Sequence, residues 1–178
     1  MKTRELTKMS ICVTLLCIAS YISFPLPFTP AMITAQTIVI NLIALILAPK
    51  QAIITVGVYI LLGVCGIPVF SGGAAGLGKI FGPTGGFLIG YLLSAPIISL
   101  LKGKENSFKR YLVVTVLVGM PIIYLGGSIS MYIYQRTNIL SILITAVFPF
   151  IFGDLLKCAA ASYIGVKLNQ SIVKSVEA

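Results

Sequence analysis

The apolar residues of this chain neither alternate nor recur at amphipathic helical spacing. They run in nearly unbroken blocks, cut by short clusters of charged residues, prolines and glycines. Measured against the roughly 20 residues that a helix needs to cross a bilayer core, the blocks predict six crossings. The first runs from Leu6 to Phe24, where Pro25, Pro27 and Pro30 stop a helix because proline lacks the N–H and clashes with the preceding turn. The second, Ile33 to Leu47, is short and ends at Pro49, and the third, Gln51 to Gly66, is closed by Pro68. A glycine-rich connection reaching Pro83 leads into the fourth, Thr84 to Leu101. The fifth is Phe108 to Tyr134, and the sixth, Asn138 to Val166, exceeds a straight crossing, so it must tilt, kink or project. No solenoid repeat and no linker divides the sequence, so residues 1–178 are expected to form one transmembrane domain, an all-α bundle of six helices.

Composition points the same way. Of 178 residues, 58% are hydrophobic and 10% charged, and the mean hydropathy is +1.06. A soluble domain normally has about a quarter of its residues charged. The net charge of +9 could suggest nucleic acid, but the basic residues lie between apolar runs instead of clustering on a solvated face, so nucleic acid is not an expected partner. Assigning connections alternately to the two sides puts Lys2, Arg4, Lys8, Lys50, Lys102, Lys104, Lys109, Arg110, Lys167 and Lys174 on one side, and only Lys79 and Arg136 on the other. Lysine and arginine mark cytoplasmic loops, so both termini are expected inside. Lys2, Arg4 and Lys8 ahead of the first block resemble the start of a signal peptide, but no small-residue cleavage site follows, and the block is read as an uncleaved span. Cys12, Cys17, Cys65 and Cys158 lie in apolar runs without metal or redox spacing and read as packing residues.

Polar chemistry inside the apolar blocks is sparse. The acidic residue embedded in one is Asp154, in Pro149-Phe-Ile-Phe-Gly-Asp154-Leu-Leu-Lys157. Lys157 follows at a three-residue step, which puts both on one helix face. Counting from Lys167 at about 1.5 Å per residue places Asp154 roughly 20 Å from the cytoplasmic boundary, in the outer half of a core about 30 Å thick. The pair can serve as a ligand site, hold helices together by mutual neutralisation, or carry a proton or ion. Gln36, at the outer end of the second span, and Tyr124, midway along the fifth, each can face a pocket or satisfy a neighbouring backbone group.

The connection after the third span carries seven glycines between Gly72 and Gly86. Gly73, Gly78 and Lys79 satisfy G-x-x-x-x-G-K, but Ile80 stands where a hydroxyl should hold magnesium, and no strand precedes it. A phosphate-binding loop is excluded, which leaves a lid over an outward pocket or a tight re-entrant turn. Gly82, Gly86 and Gly90 recur four apart and read as a packing stripe for close helix approach. An enzyme is disfavoured, since there is no histidine and one embedded carboxylate leaves acid–base chemistry without a second member. A solitary proton- or ion-coupled transporter remains an alternative.

Five segments taken together resemble the BioY family of biotin-specific S components of energy-coupling-factor (ECF) transporters: Pro25-Leu-Pro-Phe-Thr-Pro30, Ile33-Thr-Ala-Gln36, Gly66-Ile-Pro-Val-Phe-Ser-Gly-Gly73, Phe81-Gly-Pro-Thr-Gly-Gly-Phe87 and Gly153-Asp-Leu-Leu-Lys157. The resemblance implies a biotin site near the outer face, capped by the loop after the third span. It implies Asp154 and Lys157 as the chief polar contacts, with Gln36, Tyr124 and the loop residues Ser71, Gly72, Gly73, Ala74 and Gly76 as further ones. Asp154 is expected to accept a ureido N–H, and Lys157 to meet either the ureido carbonyl or the tail carboxylate. The resemblance further implies docking through small residues of the first helix, here Ser10, Thr14 and Cys17, onto a transmembrane coupling subunit driven by two ATPase subunits. No cofactor is expected, biotin being cargo, and the location implied is the cell membrane of a prokaryote.

Overall fold

A computed structural model describes residues 3–103 and 105–177, with side chains through Ile172. Lys2 and Lys104, and the side chain of Lys174, therefore lie outside the described residues. The described chain is mostly helical: α1 (Thr3–Tyr21), α2 (Gln36–Ile46), α3 (Pro49–Val64), α4 (Leu77–Ile80), α5 (Gly85–Leu101), α6 (Phe108–Val114), α7 (Met120–Gln135), α8 (Ile139–Ala146) and α9 (Phe148–Glu177). A π-helical turn, Thr115–Gly119, joins α6 to α7 without a break. Two helical stretches, Phe108–Gln135 and Ile139–Ile172, are long and apolar enough to cross a bilayer, and α2, α3 and α5 are shorter apolar helices.

At the first turn the helical chain carries a short two-stranded hairpin that the sequence reading did not anticipate. The first helix stops at Tyr21 and not at Phe24, and the second starts at Gln36 and not at Ile33. Between them β1 (Ser23–Pro25) pairs antiparallel with β2 (Met32–Thr34), Phe24 opposite Ile33. The cause is local: a residue before proline is pushed from the α region toward β, which affects Phe24 ahead of Pro25. Pro25 lacks a donor and closes its strand.

With its ends trimmed, α2 has 11 residues and is about 16 Å long, roughly half a bilayer core. It is apolar almost all round and buried accordingly, with Ile40, Ile43, Ala44 and Leu45 at zero exposure. Helices α1, α3, α5 and α9 surround it. Its last carbonyls are satisfied by side chains from elsewhere. Lys102 Nζ, just beyond α5, donates to the carbonyls of Ala44, Leu45 and Leu47 at 3.1, 2.9 and 2.6 Å. Asn169 Nδ2 adds a bond to Leu45 at 3.0 Å, and Ser99 Oγ one to Leu47 at 2.6 Å. A helix end buried without such partners would be costly.

The α5–α7 contact is a backbone-on-backbone approach. A Cβ at Gly86 would strike the carbonyl of Gly126, and one at Gly90 would lie 2.9 Å from the Cα of Ile123. Gly86 and Gly90 of the expected stripe thus serve packing inside the chain. The sixth block also departs from a single helix. It breaks at Val147 (φ −124°, ψ −62°), after which Pro149 sits in the first turn of α9, where its missing N–H is harmless. α9 then continues past Val166 to Glu177. Among the cysteines, Cys158 is buried and Cys12 and Cys17 half-buried, whereas Cys65 is exposed at the end of α3, contrary to a packing role.

Candidate functional site

Asp154 lies in the second turn of α9, buried at 6% exposure, where α2 and α7 converge on it. Its Oδ1 accepts from Lys157 Nζ at 2.8 Å and from Thr37 Oγ1 at 3.3 Å, and its Oδ2 accepts from the hydroxyl of Tyr124 at 2.8 Å. Three helices therefore supply donors to one carboxylate. A carboxylate offers about four lone-pair sites, so one remains for a further donor. Asp154, Lys157, Thr37 and Tyr124 all line a single cleft whose apolar side is built from Phe87, Leu88, Ile123 and Phe150. Tyr91 of α5 and Thr34 of β2 line it as well.

The loop between α3 and α5 forms another part of the wall. Ser71 lines the cleft, and its Oγ donates to Gln36 Oε1 at 2.8 Å. Gln36 Nε2 in turn donates to the hydroxyl of Tyr59, which donates to the carbonyl of Val69 at 2.9 Å. The relay pins the loop to α2 and α3 through groups that are all buried or half-buried. Gln36 is thus a strut behind the wall, satisfying its neighbours, whereas Tyr124 both faces the cleft and bonds to Asp154.

Gly72, Gly73, Ala74 and Gly76 shape this loop without lining the cleft. Gly72 and Gly73 both have φ 74° and Gly76 has φ 86°, conformations that a side chain would strain. The turn they form is fastened by Phe70 N–H to the carbonyl of Ala74, by Gly72 N–H to that of Ser20, and by Gly76 N–H to that of Gly63, at 2.9, 3.2 and 2.7 Å. On α1, Ser10 and Thr14 are exposed and bond only to the carbonyl one turn back. Cys17 is half-buried and packs on the core, so it is the least available of the three.

Reading the sequence missed Thr37, Thr34, Tyr91 and Lys79 as cleft residues. A signal for the first was present. Thr37 and Asn41 form a polar i, i+4 step on an otherwise apolar helix, matched by Asp154 and Cys158 on α9, and Asn41 Nδ2 meets Cys158 Sγ at 3.4 Å. Among the described residues no group of three or more histidine, cysteine, aspartate or glutamate side chains could hold a metal ion. What the cleft offers is one buried acceptor with an open lone pair, ammonium and hydroxyl donors beside it, and an apolar slot. Such a site suits a small, partly apolar molecule with an N–H donor.

The chain resembles known proteins along nearly its whole length. The biotin transporter BioY of Thermotoga maritima is 35% identical over 169 residues, covering 94% of this chain and 96% of that one. The probable biotin transporter BioY of Pyrococcus horikoshii is 34% identical over 169 residues, covering 95% and 98%. The crystal structure of the S-component for biotin from an ECF-type ABC transporter superposes with a TM-score of 0.87 at 26% identity, covering 96% of this chain and 95% of that one. The model of the BioY family matches residues 1–174, and the chain belongs to that family.

Proposed function

We propose that this chain is the biotin-capturing subunit of an ECF-type transporter in a prokaryotic cell membrane. It forms one domain that crosses the bilayer six times, through α1, the extended β2 segment continued by the half-length α2, α3, α5, the continuous α6–α7 helix and the broken α8–α9 helix, with both termini cytoplasmic. Large apolar side chains left exposed on the outer surfaces, including Ile11, Leu15, Leu61, Leu93, Leu117, Leu125 and Leu156, support a lipid-facing role. The observation that carries the ligand reading is Asp154: a buried carboxylate, positioned by Lys157, Tyr124 and Thr37, with one acceptor site left over.

A ureido ring presents two N–H groups and a carbonyl. One N–H fits the remaining lone pair of Asp154, and the carbonyl can accept from Lys157, whose ammonium keeps N–H donors beyond the one given to Asp154. The apolar ring and tail of biotin lie along Phe87, Ile123 and Phe150. The glycine loop acts as a lid whose Ser71 edge closes the wall. Energy comes from a transmembrane coupling subunit and two ATPase subunits, engaged through the exposed Ser10 and Thr14 face of α1, with Cys17 at its margin; biotin needs no cofactor here.

Equilibrium binding of biotin, desthiobiotin, thiamine and riboflavin to the purified chain in detergent tests the ligand. Tight binding of biotin alone or with desthiobiotin is expected, and tight thiamine or riboflavin binding without biotin would end the proposal. Energisation is tested in vesicles, with and without the coupling and ATPase subunits. Biotin accumulation driven by a pH gradient in the absence of ATP would refute the partner-driven scheme.

A further inference from the structure

The cleft holds a second cation that the Asp154 cluster does not use. Lys79, in α4, lines the same cleft as Asp154 and Lys157, and its side chain is half-buried. No hydrogen bond or ion pair satisfies its ammonium among the described residues. Burial accordingly pushes its pKa below the ordinary lysine range, as it must for a charge without a counter-ion. Lys157, by contrast, is neutralised by Asp154 at 2.8 Å.

The charge balance of the cleft follows directly. Its charged lining residues are Asp154, Lys157 and Lys79, so one positive charge is left uncompensated. A ligand with a single carboxylate brings the sum to zero. Lys79 is also, with Arg136, one of two basic residues that the alternation of spans places on the outer side, against the general bias of the chain. A half-desolvated ammonium in such a position is destabilising unless something anionic meets it.

We propose that Lys79 is the anchor for the ligand's carboxylate. The polar but uncharged head of the molecule goes to Asp154 and Lys157, and the tail runs across the apolar wall to α4. The proposal rests on the biotin reading above and fixes what that reading left open, namely which lysine takes the tail. It also gives the lid a reason to close. α4 is held to the rest of the loop through Lys79 N–H on the carbonyl of Gly76, and Gly76 N–H is fixed to Gly63 at the end of α3. Neutralising Lys79 therefore ties ligand, α4 and α3 together.

The test pairs a substitution with a change in the ligand. Dissociation constants of biotin and of biotinamide, whose tail is neutral, are measured by calorimetry in detergent for wild type, Lys79→Met, Lys79→Arg and Lys157→Met. Wild type should prefer biotin. Lys79→Met should weaken biotin about tenfold or more while leaving biotinamide within about twofold, the size expected for one lost charge-assisted bond. Lys79→Arg should keep most of the preference. Equal weakening of both ligands, or no weakening of either, overturns the proposal. A preference that survives in Lys79→Met and disappears in Lys157→Met overturns it in favour of Lys157. Wild type that binds neither molecule instead refutes the biotin reading itself, an outcome distinct from the other three.

Discussion

Replacing Asp154 by asparagine separates a ligand contact from a structural ion pair. The asparagine keeps the shape of the side chain but has one acceptor oxygen in place of two and presents an N–H₂ of its own. In the native cluster three of about four lone-pair sites are taken by Lys157, Tyr124 and Thr37, so the ligand depends on the last one. Losing a charge-assisted bond there is worth about 1.5 to 3 kcal/mol, which weakens biotin binding between about tenfold and a hundredfold. The same change strips Lys157, 15% exposed, of its counter-ion. Breaking a buried pair costs about 3–5 kcal/mol in general, less here because the amide oxygen still accepts and the lysine stem can reach toward solvent. A thermal shift measured on Asp154→Asn alone therefore mixes two effects. Adding Lys157→Met removes both charges, and the ligand-free double variant should regain thermal stability close to wild type by size-exclusion melting. Its biotin affinity, by equilibrium dialysis with labelled ligand, should stay at least tenfold weaker. A double variant that binds biotin like wild type would refute the contact role of Asp154 and leave the pair purely structural.

Two further outcomes test the frame around the site. Gly86→Ala should lower thermal stability by about 2 kcal/mol or more, because its Cβ meets the carbonyl of Gly126, which cannot move without separating α5 from α7; unchanged melting in detergent would contradict the close approach. Lys102→Met removes the donor shared by the carbonyls of Ala44, Leu45 and Leu47 and should destabilise the end of α2. Burial lowers the Lys102 pKa from 10.5 to about 8, so the folded form gives up its proton first. Wild-type stability should thus rise, relative to the variant, as pH climbs from about 8 toward 10.5, and parallel melting curves across that range would contradict the assignment.

The order of the apolar helices was legible because outward-facing and core-facing residues alike are apolar, so clusters of charge, proline and glycine mark the ends. Asp154 and Lys157 stood out for the same reason, as the ionisable residues embedded in an apolar block. The ends of α1 and α2 were not legible, because Ile22, Phe24, Ile33 and their neighbours are as apolar as a helix and only the preference of a pre-proline residue signals a strand. The break at Val147 escaped for a similar reason: Pro149 is compatible with both a kink and a fresh helix start. Gln36 and Tyr124 are polar residues whose partners lie far away in sequence, 23 residues for Gln36 with Tyr59 and 30 for Tyr124 with Asp154, and no local pattern says which will face a cleft and which will brace it. Lys79 was visible as the lysine of a phosphate-loop motif that fails at Ile80 and as an exception to the charge bias, but only the folded loop puts it in the same cleft as Asp154.

The π-helical turn at Thr115–Gly119 sets a phase as well as joining two helices. On a regular α-helix each residue advances about 100°, so Tyr124, nine positions after Thr115, would point to the opposite side. Yet both address the same stripe of α9, Thr115 beside Cys158 and Tyr124 bonded to Asp154, four residues apart on that helix. A π turn accommodates one extra residue, which turns the second half of the helix back by about 100°, so that Tyr124 stands about 80° from Thr115 instead of about 180°. The direction of Tyr124 is therefore encoded by backbone count, not by any side chain between the two. Losing one residue between Thr115 and Gly119 would rotate the Tyr124 hydroxyl away from Asp154 while leaving every residue of the cleft chemically intact. Along this helix the cleft around Asp154 is editable by length, a kind of change that residue-by-residue comparison of relatives does not register.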